Sequence, residues 1–362
     1  MNVNVNNDIL GIKNPFAKLL PETSNIDNDI IRAASPQKLH NLYKLGYLNG
    51  VLLDIEGVPW NFRKFAKYNF DFLKANQEDN QSIIFEDTTY YHAIRGSSKG
   101  VRVMGHQNYL KIDPKKAMSG AQSTGDCVSW AIRDALDRLR TNKIAGGAWE
   151  AYIERQATCG IYSGRGHTGQ GADPVGLSAF AVKIGTILEI VYEIGGKKYD
   201  FTNYDNYVSW GMSRGRQGVP DDLLEKTKQY TAGGYKVVAT TDALADLLAN
   251  GGTAHCGSGI GVSSQGDPIS RLQGSWAHDM SIVGFDDTPE CHEKFGGRIW
   301  LWDQSWGNWN SVSNIPDWWK PWGQGMFALT DASTQRAVGQ GGTCVFYDGK
   351  WFDAEPIENK II

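Results

Sequence analysis

The sequence lacks a run of 18 or more apolar residues, so it offers no membrane span. Its start, MNVNVNNDILGIKNPF, lacks the charged-then-apolar pattern of a secretory signal, and the chain is expected to be soluble and cytoplasmic at synthesis. Cysteine is scarce: Cys127, Cys159, Cys256, Cys291 and Cys344 are odd in number, scattered and never in a C-x-x-C pair. That argues against a disulfide framework and a zinc ribbon, and fits a reducing compartment. No excess of one charge exists either, with 36 Lys and Arg against 40 Asp and Glu and a net charge of -4. No nucleic-acid partner is therefore expected, and charge names no other. Internal repeats and low-complexity tracts are absent.

Two apparent motifs also fall away, and no cofactor is expected. Gly164, Gly166 and Gly169 spell G-x-G-x-x-G within GRGHTG, but no strand of a βαβ unit precedes them, which excludes a dinucleotide loop. His255-Cys256 and Cys291-His292 are adjacent pairs whose side chains would diverge on a strand, with no third ligand, so no metal is expected. What is abundant is glycine, 42 residues, and tryptophan, 13 residues, which suits tight turns and large flat side chains in a core or a cleft. The tryptophans between 300 and 322 are read as core packing ahead of a glycan-binding surface.

At 362 residues the chain has ample length for a core and for one large or two domains. Residues 1 to 110 carry short apolar-periodic segments, SPQKLHNLYKLGYLNGVLL (35 to 53) and PWNFRKFAKYNFDFLKAN (59 to 76), and are expected to be a mainly helical N-terminal region. An amphipathic helix of about 14 residues is expected from Cys127, then a shorter one in GGAWEAYIERQA, a Gly-rich loop over 159 to 176, and a helix in LSAFAVKIGTI. After Gly234 the texture becomes strand-rich: YKVVATT, HCGSGIGV, HDMSIVGFDD, GGRIWLWDQSW and GMFALTD lie between turns, with TDALADLLANG as a helix among them. The fold class is α+β, with a mostly antiparallel second half.

Cys127 carries the chemistry. A cysteine nucleophile must be a thiolate, and the N-terminus of a helix supplies partial positive charge and unpaired N–H groups. A base is the second requirement, and His278 stands where an apolar strand begins, a rigid mount. Asp303 and Gln304 in WLWDQSWGNWN are side-chain acceptors able to hold the His278 ring in the tautomer that faces sulfur.

The stretches QSTGDCVSWAI, WAHDMSIVGF and WLWDQSWGNW resemble, in order and context, three signatures of the papain-like cysteine peptidases. These are a Gln ahead of a G-x-C helix start, an H-x-x-x-x-V-G-[YF] strand and an N-S-W-G turn. His278 lies 151 residues after Cys127, where that family places its histidine roughly 130 to 150 residues on. The resemblance covers about residues 111 to 335. It implies a two-lobed fold, one lobe helical with the nucleophile helix and the other an antiparallel sheet or barrel with the histidine, over residues 111 to 350, followed by a tail at 351 to 362. It implies Cys127 as nucleophile, His278 as general acid and base, and Gln304 as orienter in the place of the family's Asn, with Asp303 as the competing orienter. Gln122 would supply an oxyanion-hole amide beside the Cys127 backbone N–H, and Trp306 would shield the bond between histidine and its acceptor. Gly164, Gly166 and Gly169 would belong to the Gly-rich wall of the cleft. Gln122 lies five residues before Cys127 where the family has six, and the tryptophan that follows the family's nucleophile stands later here, at Trp130.

Three activities follow as expectations. The first is a thiol hydrolase acting on a polypeptide substrate. The second is a catalytically retired papain-like domain with a structural or interaction role in a large assembly such as a virus particle. The third is a cell-wall amidase or endopeptidase. With Met1 present, residues 1 to 110 are expected to remain attached, as an inhibitory segment over the cleft or as an arm docking to a larger assembly.

Overall fold

The computed structural model describes residues 84–112, 120–145, 154–227, 232, 234–263, 268–310, 312–323 and 325–347. The expected helices at 35 to 53 and 59 to 76, most of GGAWEAYIERQA and the tail at 351 to 362 lie outside the described residues. In chain order the elements are α1 (Thr89–Ile94), β1 (Arg102–Met104), α2 (Gly105–Ile112), α3 (Cys127–Ala145), α4 (Thr158–Tyr162), α5 (Pro174–Ile184), β2 (Val191–Ile194), β3 (Lys197–Asp200), α6 (Tyr204–Ser213), α7 (Asp221–Thr227), β4 (Tyr235–Val237), α8 (Thr241–Ala249), β5 (Thr253–Ser263), β6 (Arg271–Asp286), α9 (Pro289–Phe295), β7 (Ile299–Asp303), β8 (Phe327–Thr330), α10 (Asp331–Val338) and β9 (Thr343–Phe346). The fold is α+β.

A seven-stranded sheet in the order β4-β9-β5-β6-β7-β8, with β1 added to β6, organises the second half, and its strand pairs are antiparallel. β1 comes from the segment read as N-terminal: Arg102, Val103 and Met104 pair with Asp286, Phe285 and Gly284. β7 shows why these strands form. Ile299 and Leu301 pack into one cluster with Val283 and Ala328, while Trp300 and Trp302 pack into another with Phe285, Ile282 and Leu247. Side chains alternate along a strand, so an all-apolar run such as IWLW is stable only with both faces covered.

Helix α3 runs 19 residues rather than about 14, and the sequence holds neither Gly nor Pro between Cys127 and Ala145. The sequence reads as amphipathic, yet every residue from Cys127 to Thr141 is buried. Its charged side stays inside because the charges find partners. Arg133 pairs with Asp134 at 2.7 Å, and Arg138 reaches across to β6, donating from Nη1 to the Ile282 carbonyl at 2.7 Å and from Nη2 to the Ser281 hydroxyl. A second departure is the loop expected over 159 to 176, whose start is helical as α4. Gly160 permits this turn to pack closely, since a Cβ there would sit 3.0 Å from the Ile187 side chain.

Candidate active site

Cys127 opens α3 with no solvent exposure. The Asp126 carbonyl accepts from the N–H groups of Ser129 at 2.9 Å and Trp130 at 3.2 Å, which starts the helix and aims its N-terminal dipole at the sulfur. The approach to Cys127 is fixed by the end of the Gly-rich loop. Gln170 Oε1 accepts from the Thr124 hydroxyl at 2.6 Å and from the Gly125 N–H, and the Gly171 N–H donates to the Gly125 carbonyl at 2.9 Å. Asp126 is buried and accepts from the Tyr204 hydroxyl, 3.0 Å from each carboxylate oxygen; burial pushes its carboxyl up to about 7 against that bond. The Cys127 thiol is also pushed well up, by burial first and then by the Asp279 carboxylate. The Asp279 N–H, donating to Cys127 Sγ at 3.4 Å, acts the other way.

His278 is the first fully buried residue along β6, whose Arg271–Ser275 end is mostly exposed. It pairs across the sheet with Ser258, next to an irregular step in β5 where Gln340 Oε1 accepts from the Gly259 N–H at 2.8 Å. Such irregularities re-aim nearby side chains. His278 Nε2 lies 3.0 Å from Gln304 Oε1. A carbonyl oxygen only accepts, so this contact places a hydrogen on Nε2 and leaves Nδ1 as the basic nitrogen. Trp306 stacks on the imidazole, ring centroids 4.3 Å apart and planes 20° apart, and Trp276 meets Trp306 edge-on at 4.8 Å.

Asp303 and Gln304 are separated by strand alternation. Asp303 ends β7 opposite Ser281, the residue that Arg138 contacts, and its charge acts on the Arg138 guanidinium. Gln304, one residue on, reaches His278.

Gln122 is stitched to the turn that carries Gln304. Its N–H donates to the Ser305 carbonyl at 2.8 Å, its Oε1 accepts from the Ser305 hydroxyl, and the Gly307 N–H donates to the Gly120 carbonyl at 2.8 Å, a short antiparallel ladder centred on Ala121 and Trp306. The Gln122 amide nitrogen donates one hydrogen to the Thr124 carbonyl at 2.6 Å and has a second. Trp130, the displaced tryptophan, lies against Tyr204 and under the Arg133 guanidinium, and its ring fills the space a Cβ on Gly120 would take. Among the glycines of the candidate wall, Gly164 packs against the Phe180 ring. Gly166 takes a left-handed conformation at φ +78°, and Gly169 lies beside His167.

The partners of these residues were hidden in the sequence. Gln170 and Tyr204 lie far along the chain from Asp126, in segments without a catalytic pattern. Asp279 and His255 carried one signal, polar residues within strands otherwise built for a core. Among the described residues no group of three or more His, Cys, Asp or Glu side chains converges on a metal position.

The site is thus a cysteine at a helix start and a histidine on a sheet strand, with a side-chain amide orienting the ring. No protein-family model and no curated protein sequence matches the chain. Among solved structures the chain is similar to xylellain, a cysteine protease from Xylella fastidiosa, at 16% identity over 72% of this chain and 89% of that one, with a TM-score of 0.44. It is similar to digestive procathepsin L 3 of the Tenebrio molitor larval midgut at 12% identity, covering 87% of this chain and 99% of that one, TM-score 0.42. It is also similar to the ragweed pollen cysteine protease Amb a 11 in its proform, at 14% identity over 93% of each chain, TM-score 0.41.

Proposed function

We propose that the chain is a papain-like cysteine peptidase with Cys127 as nucleophile and His278 as acid and base. The observation that carries this reading is the His278 Nε2 contact with Gln304 Oε1 at 3.0 Å beneath Trp306, one residue from the peptide N–H that donates to Cys127 Sγ. Nδ1 of His278 takes the thiol proton as Sγ attacks the substrate carbonyl carbon. The resulting oxyanion is held by the Cys127 backbone N–H and the second hydrogen of the Gln122 amide. His278 returns that proton to the leaving amine as the C–N bond breaks, leaving a thioester on Cys127. The same imidazole then takes a proton from water, whose oxygen attacks the thioester and releases the acid and the thiol. Burial pushes the resting thiol up, which favours proton transfer to His278 together with attack.

Cys127→Ala is expected to abolish both cleavage of a denatured-protein or peptide-library substrate and alkylation at position 127. Cleavage undiminished in that variant overturns the reading. A second reading, a retired domain with a structural role, is favoured by the complete burial of Cys127 and His278. It expects no turnover from the wild-type chain under any condition in which Cys127 is alkylated.

A further inference from the structure

A second polar chain runs from the sulfur into the core, and the reaction outlined above does not use it. Asp279 follows His278, and its carboxylate oxygens lie 2.9 and 3.1 Å from Nδ1 of His255 on β5. His255 Nε2 lies 2.8 Å from the Ser178 hydroxyl on α5, and that hydroxyl donates to the Pro174 carbonyl at 2.8 Å. Ser178, Asp279 and His255 are buried, and Phe346 stacks on the imidazole with centroids 5.8 Å apart. A hydroxyl has one hydrogen. With that hydrogen on the Pro174 carbonyl, His255 Nε2–H must be the donor to Ser178. One hydrogen remains between Nδ1 and the carboxyl, so the His255–Asp279 pair carries no net charge wherever that hydrogen sits. The backbone N–H of the same Asp279 donates to Cys127 Sγ at 3.4 Å.

We propose that His255 is a positioning residue for the Cys127 thiol: anchored by Ser178, it neutralises the Asp279 carboxylate and fixes the peptide whose N–H donates to the sulfur. This rests on the reading of Cys127 as nucleophile. Other groups face the two ends. Asp126 and Tyr162 act on Cys127, and His278 stands one residue before Asp279. Asp173, Cys256 and Cys344 act on the His255–Asp279 pair. Of these groups, His255 is the one whose ring nitrogen meets the Asp279 carboxylate, at 2.9 and 3.1 Å. Burial pushes the Asp279 carboxyl up and His255 acts against that; without His255, an Asp279 ionised at the alkaline pH where the buried thiol titrates would oppose formation of the thiolate in a place where water screens little.

The test is the pH profile of iodoacetamide alkylation, read by mass spectrometry on the peptide containing residue 127 of the full-length chain. His255→Gln is expected to move the midpoint upward by about one unit, roughly tenfold slower alkylation at a fixed pH below it. His255→Gln combined with Asp279→Asn is expected to return the midpoint to near the wild-type value. An unchanged midpoint in the single variant, or the same upward shift in the double, overturns the proposal. Should His255→Gln fail to fold, the near-isosteric Asp279→Asn decides alone: its midpoint is expected to stay or fall, and a rise refutes the role. Alkylation is independent of turnover. Profiles that shift as expected in a chain that cleaves no substrate sink the peptidase reading and leave this positioning intact.

Discussion

Trp306 stacks on the His278 ring, whose Nε2 lies 3.0 Å from Gln304 Oε1, the acceptor that fixes the tautomer. Gln304→Ala is expected to lower kcat by roughly 10²-fold with a small change in KM, because the amide orients the base without touching substrate. Steady-state kinetics on a peptide substrate checks this, and a KM increase with kcat intact counts against it. Asp126 gives a different prediction. Its folded-state value, raised to about 7 by burial, lies above the unfolded one, so protonation favours the fold. That contribution is full below about pH 4 and is lost as pH climbs through about 7. Urea unfolding of the wild type at pH 5 and pH 8 is expected to show stability falling with pH, in part through Asp137 and Asp173, which are raised to about 7 and about 6. Asp126→Asn is expected to flatten that slope. At this scale the helix start at Cys127, the strand under His278 and the acceptor position of Gln304 were legible, because each sits in a short stretch whose pattern states its setting. The bond between Asp126 and Tyr204 was not, since only folding brings those two residues together.

Helix α3 and the sheet meet through Arg138, which donates to backbone and side chain of β6 from a site without solvent. Arg138→Met keeps the stem but removes the donor to the Ile282 carbonyl and the positive charge facing Asp134 and Asp303. A loss of about 3 to 5 kcal/mol is expected from chemical denaturation. A change under about 1 kcal/mol would show the contact to be incidental. The sequence made α3 visible through its spacing and lack of breakers, and made the strands visible through runs such as IWLW. The buried polar side of α3 was hidden, because a charge pattern reads as a solvated face until its partners are known. Glycine misled in the opposite direction. Gly160 and Gly164 suggested loop, whereas Gly160 sits within α4 against Ile187 and Gly164 sits against Phe180.

For the whole molecule, an α+β architecture follows from a helical texture giving way to a strand-rich one, and the sheet forms as that change suggests. Less legible was the reach of the sheet, which recruits Arg102–Met104 from ahead of the nucleophile helix because β6 is long enough to pair β1 beyond the end of β5. The proposed catalytic pair is enclosed: Cys127 and His278 have no exposed surface. Iodoacetamide is therefore expected to modify Cys127 in the folded chain more slowly than it modifies a small free thiol, and to reach the small-thiol rate once urea unfolds the chain. A rate matching that of a small thiol in the absence of urea would refute enclosure. The ladder between Gly120–Gln122 and Ser305–Gly307 joins segments far apart in the sequence. During synthesis, Cys127 emerges long before the turn that completes its site. A partly made chain therefore holds a cysteine without its orienting histidine and acceptor, and any proteolytic activity must wait for the last major closure of the fold.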